Sequence, residues 1–305
     1  MDIRRIKIIF FFTFAALLFS CTEYTWAITS SETAKLLASD GAMNDQFGTS
    51  ISVDGDTAVI GAPLEDDGGT DSGSAYVFVR NPIDGIWAEQ EKLTALDAAT
   101  GDKFGSSVSV SGDTAVVSAH QSDDFGSNSG STYVFVRNPI DGTWTQQTKL
   151  TASDAAISDA FGISVSVNNN TAVIGAFSDD DGGTNSGSAY VFVRNPSDGI
   201  WTQKAKLTAS DGAARDLFGR TVTVSGDTAV VGANQDDDAG KNSGSAYVFV
   251  RNPIDETWTQ QTKLTASDAA TGDNFGISVS VSGDTSVIGS YLNGEAGSLQ
   301  SGSAY

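Results

Sequence analysis

The chain has 305 residues, with 38 acidic and 17 basic side chains, a formal net charge of −21, one Cys and one His. That length can bury one large core or two ordinary ones, and the charge excludes nucleic acid and anionic membrane surfaces as partners, because both require a basic face. A single Cys and a single His rule out an intramolecular disulfide and any Cys/His zinc site, so a bound metal would be a hard cation on oxygen ligands.

The N-terminus stands apart. Arg4, Arg5 and Lys7 precede an apolar run at residues 8–19, too short to span a bilayer, and residues 1–20 read as a secretory signal peptide. Leu18-Phe19-Ser20-Cys21 is similar to a bacterial lipobox, in which Cys21 would become the lipidated first residue. The alternative is cleavage after Ala27, with Cys21 discarded. Either route predicts an exported chain, as an outer-membrane lipoprotein, a cell-surface protein or a secreted one, with membrane contact only through a lipid anchor. Residues 21–33 form a short linker.

A fixed period organises the rest. Phe-Gly recurs at Phe47, Phe104, Phe161, Phe218 and Phe275, always 57 residues apart, and Trp87, Trp144, Trp201 and Trp258 keep the same interval, as do Pro82, Pro139, Pro196 and Pro253. Such a period is the signature of a repeat architecture.

Each unit predicts four short strands. The first alternates, as in residues 107–110, and leads through the tight turn Ser111-Gly112-Asp113 into a second at 114–117. The third, residues 75–80, puts Tyr76 and Phe78 on one face and Val77 and Val79 on the other, so it is an interior strand covered on both sides. Asn81-Pro82-Ile83-Asp84-Gly85 supplies turn chemistry. The fourth, residues 87–94, is polar apart from Trp87 and Leu93, as suits a protected sheet edge. One such meander cannot cover both of its apolar faces, whereas stacking identical sheets around an axis does. The expected fold is therefore all-β, a β-propeller of four-stranded blades with five units visible and the last incomplete; a β-sandwich is the alternative. Phe is expected as a wedge between sheets, and Trp to pack on the adjacent blade.

Phe47-Gly48, the alternating strand and Gly61-Ala62-Pro63 reproduce an FG…GAP signature, and Phe161-Gly162 with Gly175-Ala176 and Phe218-Gly219 with Gly232-Ala233 repeat most of it. Residues 34–305 thus resemble bacterial FG-GAP repeat proteins, whose repeats are similar to those of the integrin α-subunit β-propeller. The resemblance implies an extracellular propeller used in adhesion or in protein or glycan recognition. In integrin-type repeats calcium sits between the first and second strands. Here that loop is only Asp54-Gly55-Asp56 or its equivalent, too few oxygens for Ca²⁺, so that site is not carried over.

The acid lies elsewhere. In an up-and-down blade the loops after strands two and four share one face of the disc, and these carry most of the carboxylates, while Arg80, Arg137, Arg194 and Arg251 lie toward the other. Asp66, Asp67 and Asp71, with Glu65, in the first unit; Asp123, Asp124 and Asn128 in the second; Asp179, Asp180, Asp181 and Asn185 in the third; and Asp236, Asp237 and Asp238 in the fourth are the candidate Ca²⁺ ligands. The competing reading is turn chemistry on an acidic surface that docks a basic partner. Lys241 in the fourth unit and a fifth loop reduced to Glu295 weigh against metal.

No catalytic or cofactor fingerprint is present, and His120 falls where other units have Pro63, Phe177 and Asn234, which reads as drift in one repeat. The sequence stops inside a third strand, which leads us to expect a truncated propeller; a strained five-bladed ring is the alternative. The expected function is a non-enzymatic, monomeric recognition module for an extracellular protein or glycan. Its alternatives are an accessory or structural propeller of a larger surface protein and, more remotely, a glycan-active enzyme.

Overall fold

A computed structural model describes residues 34–293 and 301–305. The expected leader, Cys21, the linker and Glu295 lie outside the described residues. Among the described residues, nineteen strands, numbered in chain order, form five sheets. Blade 1 is β1 (Ser50–Asp54), β2 (Thr57–Ala62), β3 (Ser74–Arg80) and β4 (Trp87–Leu93). Blade 2 is β5 (Val108–Ser111), β6 (Thr114–Ala119), β7 (Ser131–Arg137) and β8 (Trp144–Leu150). Blade 3 is β9 (Ser164–Asn168), β10 (Thr171–Ala176), β11 (Ser188–Arg194) and β12 (Trp201–Leu207). Blade 4 is β13 (Thr221–Ser225), β14 (Thr228–Ala233), β15 (Ser245–Arg251) and β16 (Trp258–Leu264). Blade 5 has β17 (Ser278–Ser282), β18 (Thr285–Ser290) and the short β19 (Ser303–Ala304).

Every sheet is an antiparallel meander in sequence order, and neighbouring inner strands pack in succession, β1 on β5, β5 on β9, β9 on β13 and β13 on β17. Five separate sheets about one axis make a five-bladed β-propeller with an incomplete last blade; a sandwich would join the strands into two sheets. β1 and β2 are joined by the two-residue turn Gly55-Asp56, with Asp54 paired to Thr57. Its first residue has positive φ in every unit, at 57° for Gly55 and 53° for Asn169, a conformation both residue types tolerate. A β-bulge recurs between Val77 and Phe78 and at the equivalent point of the next three blades, increasing the twist of the outer strands.

The core lies between sheets. Val59, Val77 and Leu93 of blade 1 meet Val108, Val110, Ala115, Val117, Tyr133 and Phe135 of blade 2, with Phe104 wedged among them. The Phe104 ring meets Tyr133 at 5.4 Å and Phe135 at 5.9 Å, both edge to face, and the next two interfaces repeat this with Phe161 and Phe218. The glycine beside Phe has its own steric reason. A Cβ on Gly105 would fall 2.2 Å from the Ser74 carbonyl oxygen, and one on Gly61 would fall 1.9 Å from that of Gly105. The FG of one unit and the GA of the unit before it therefore touch backbone to backbone, and the Ser50 hydroxyl donates to Gly105 O at 2.7 Å. On β1, Ile51 and Val53 are 65% and 63% exposed, whereas the equivalent Val108 and Val110 are buried by blade 1. Among the described residues, no blade covers the β1 side as blade 1 covers β5.

The repeated Trp packs as expected. Trp144 and Trp201 are buried, and their indole N–H groups donate at 3.2 Å to Gln90 and Gln147 of the preceding blade. Lys204 stands where the third such Gln would be, and the buried Trp258 Nε1 has no partner.

Candidate functional site

The loops after the second and fourth strands of each blade share one face, and the structure sorts their carboxylates into two sets. The inner set surrounds a lysine. Lys92 of β4 reaches Asp40 at 2.6 Å, Glu65 at 3.0 Å and Asp67. Lys206 of β12 holds Asp154 at 2.7 Å, Asp179 at 3.0 Å and Asp181, and Lys263 of β16 holds Asp211 at 2.8 Å, Asp236 at 2.9 Å and Asp238. In blade 2, Lys149 binds Asp97 at 2.8 Å and Asp124, with Ser122 in place of the third carboxylate. Each lysine also stands over a tyrosine ring, at 5.2 to 5.5 Å from Tyr76, Tyr133, Tyr190 and Tyr247. Tyr76 donates to Asp40, Tyr190 to Asp179 and Tyr247 to Asp236, whereas the buried Tyr133 hydroxyl finds no partner.

These clusters stitch blades together. Asp97, Asp154 and Asp211 follow the outer strand of one blade, and the lysine that binds each lies on the outer strand of the next. Burial alone would lower the pKa of the lysine ammonium groups, but the hydrogen bonds they donate to the carboxylates outweigh it and raise all four. The Lys92 hydrogen bonds hold Asp40 and Asp67 below the ordinary carboxylate range; at Asp154 and Asp211 burial pulls upward, and the lysine and tyrosine hydrogen bonds prevail.

The outer set closes the loops. Asp66, Asp123, Asp180 and Asp237 are exposed, and each accepts a backbone N–H five residues on, from Asp71, Asn128, Asn185 and Asn242, at 2.6 to 2.7 Å. The four donating residues, Asp71, Asn128, Asn185 and Asn242, are in left-handed backbone with φ of 54° to 56°, which explains why Asp and Asn occupy these positions. A third group lies beneath: Asp102, Asp159, Asp216 and Asp273 are buried, and burial pushes Asp159 and Asp216 up to about 6.

Asp40–Glu65–Asp67, Asp154–Asp179–Asp181 and Asp211–Asp236–Asp238 each bring carboxylate oxygens within 4.8 Å of one another, a hard-donor set that could chelate a divalent ion. The ammonium already hydrogen-bonds all three carboxylates, so a metal would have to displace it. Of the candidate ligands, Asp67, Asp179, Asp181, Asp236 and Asp238 are gathered in these clusters and Asp124 in the lysine pair of blade 2. Asp66, Asp71, Asp123, Asn128, Asp180, Asn185 and Asp237 are not. Asp40, Asp154, Asp211 and the lysines themselves were missed; their signal was a Lys at 35, 92, 149, 206 and 263, in register with the repeat. On the opposite face Arg80 and Arg251 pair with Asp56 and Asp227 at 2.6 Å.

The FG-GAP repeat family matches residues 30–78, 87–135, 144–192, 201–249 and 258–305, one match per unit. No curated relative matches the chain. Among solved structures, a putative 6-phosphogluconolactonase from Bacteroides uniformis is similar at 14% identity and a TM-score of 0.50, over 83% of this chain and 69% of that one. The periplasmic gluconolactonase of Pseudomonas aeruginosa is similar at 17% identity and a TM-score of 0.52, over 79% of this chain and 64% of that one. At these identities the likeness concerns the fold alone, and this chain spans about two thirds of the length of each.

Proposed function

The chain belongs to the FG-GAP repeat family, and from that premise we propose that it is an exported, non-enzymatic recognition propeller whose acidic loop face docks an extracellular protein or glycan. The observation that carries the reading is the division of the carboxylates. The inner ones are tied to lysines and fix the loops; Asp66, Asp123, Asp180 and Asp237 remain exposed, one in each of the first four blades, on loops their own side chains close. A repeated, rigid, single-sign array steers and orients a basic partner. An acid/base pair needs instead one site whose two members differ in environment. Calcium is not required by this reading, since lysine supplies the cation in each cluster.

The test is binding of the full chain to immobilised basic extracellular proteins and to a glycan panel, against the combined variant Asp66→Asn, Asp123→Asn, Asp180→Asn, Asp237→Asn. Asn keeps the Oδ1 acceptor, so the loops stay closed while four charges leave. Salt-sensitive binding by the native chain and its loss in the folded variant is the expected result. Undiminished binding by the variant, or hydrolysis of any glycan on the panel, overturns the reading.

A further inference from the structure

Each successive pair of blades meets through the same two faces. The leading face of a blade offers the glycine of its Phe-Gly pair and two apolar side chains of its first strand; in blade 2 these are Gly105, Val108 and Val110. The trailing face of the blade before it offers a valine of its second strand and hydroxyls of its first; in blade 1 these are Val59, Ser50 and Ser52. Val59 packs with Val108 and Val110, and Val116, Val173 and Val230 meet the equivalent pairs of the next three blades. Polar contacts fix the register. The Val110 N–H donates to Ser52 Oγ at 3.0 Å, and the Gly283 N–H, in the turn after the first strand, donates to Ser225 Oγ at 3.1 Å.

Among the described residues, both faces recur uncovered at the two ends of the arc. Ile51 and Val53 are exposed, and a Cβ on Gly48 would meet open space, whereas one on Gly105 would strike the Ser74 carbonyl of blade 1. At the other end Val287 is 51% exposed, against 0% for Val59, Val116, Val173 and Val230. A Cβ on Gly289 would meet first the Ser278 side chain of its own blade, whereas one on Gly61, Gly175 or Gly232 would fall 1.9 to 2.1 Å from the Phe-Gly carbonyl of the blade that follows. Ser278, Ser280 and Ser282 are exposed as well. A terminal repeat that stays in water carries a polar outer face, and blade 1 presents Ile51 and Val53 instead. The strand counts also match. Leu36 and Ala38 pack on blade 1 as Leu93 and Ala95 pack on blade 2, so this chain already fills the place of a fourth strand before blade 1, and the part left uncovered fits a sheet of three strands. Blade 5 is such a sheet. Residues 50–53 and 278–282 carry no charge, so copies of a chain with net charge −21 can meet along these strands without opposing carboxylates.

We propose that these ends are the two halves of one interface between copies of this chain, the trailing face of blade 5 in one copy docking head to tail on the leading face of blade 1 in the next. By equivalence with the internal interfaces, Val287 packs between Ile51 and Val53, Gly48 seats on Gly289, and the Val53 and Gly55 N–H groups donate to Ser280 and Ser282. The contact joins unlike faces, so every pair keeps one free face of each kind and grows with concentration unless a ring closes. It replaces the monomer expected from the sequence. It uses none of the exposed loop aspartates, so it stands or falls separately from the recognition reading.

Sedimentation velocity on the full chain, from about one to about a hundred micromolar and under reducing conditions so that Cys21 cannot link copies, should show a mass that rises above that of one chain. Val53→Arg spoils the leading face alone and Val287→Arg the trailing face alone; both sites are more than half exposed, so both variants should fold, which far-UV circular dichroism checks. Each variant by itself lacks one half of the interface and should stay monomeric over the same range. Mixed in equal amounts, the intact trailing face of Val53→Arg meets the intact leading face of Val287→Arg, and the mixture should form pairs and nothing larger. Should an arginine variant fail to fold, Val53→Ser or Val287→Ser replaces it, with association weakened by about tenfold or more. A native chain that stays monomeric throughout, a folded variant that assembles as the native chain does, or a mixture that remains monomeric overturns the proposal.

Discussion

Replacing Lys206 by Met removes the cation from the blade 3 cluster while keeping most of its aliphatic stem. Three carboxylates then remain with their oxygens within 4.8 Å and no ammonium among them. They do not suffer equally: the Asp179 side chain is 5% exposed, against 42% for Asp154 and 64% for Asp181. Exposed pairs contribute about 0–1 kcal/mol each, whereas leaving one buried charge unpaired costs about 3–5 kcal/mol. With Ser188 and Tyr190 still donating to Asp179, the lower end applies, roughly 3 kcal/mol, and for a chain of this size that lowers Tm by about 5 °C. Differential scanning calorimetry reads the shift. The same cluster, emptied of its ammonium, presents oxygen donors to a divalent ion, so millimolar CaCl₂ should restore much of the lost Tm in Lys206→Met and leave the native chain nearly unmoved. An unchanged Tm in the variant, or an equal calcium-dependent rise in both proteins, would refute the claim that lysine is the resident cation of the cluster.

Three further outcomes follow from the packing and the titrating groups. Lys204→Gln places an amide where Gln90 and Gln147 serve Trp144 and Trp201, so the orphaned Trp258 indole gains an acceptor; thermal melts should show a gain of about 1 kcal/mol. Gly175→Ala should destabilise by more than about 3 kcal/mol, since its Cβ would fall 1.9 Å from Gly219 O, whereas Gly55→Ala, with open space around it, should cost only about 1 kcal/mol for its positive φ. Asp159 and Asp216, raised to about 6 by burial, bind protons more tightly folded than unfolded, so stability grows as pH falls from 7 toward the unfolded carboxylate value. Below about pH 4 the carboxylates that the lysines hold low must be protonated and that stability is lost, so Tm plotted against pH should pass through a maximum between about 4 and 6.

The strands, the Phe wedge and the inter-blade Trp were legible because each is a local pattern repeated in register. Alternation gave β1 and its equivalents, the two-faced apolar run gave β3, and the two-residue turns between them were written in Gly-Asp and Asn-Asn. The outer strand was legible as to its place and misread as to its purpose. Its polar side chains read as charges that protect a sheet edge. Instead Glu89 accepts from Ser39, Glu91 from the Trp144 backbone and Gln90 from its indole, and Lys92 turns into the carboxylate cluster. Ser39, Trp144 and, for Lys92, Asp40 lie 50 to 54 residues from these partners, a separation just short of the repeat length, so that no short window along the sequence holds both ends of these contacts.

The same geometry explains why the acidic loops resisted a unique reading. Alternating Asp and Asn satisfy three demands at once: left-handed backbone at Asp71 and its equivalents, a carboxylate that closes the loop at Asp66, and a counter-charge for lysine at Asp67. A calcium loop uses these residue types at this spacing. The choice between them rests on a lysine contributed by the outer strand some 25 residues beyond the loop, and blade 2 shows how closely the parts depend on one another. There Ser122 replaces the buried carboxylate, and the Tyr133 hydroxyl that the carboxylate would have received is left without a partner in the core. Burying that hydroxyl unpaired costs on the order of 1–3 kcal/mol, which makes the blade 2 cluster the weakest of the three stitches between blades and the place where the arc of blades should open first.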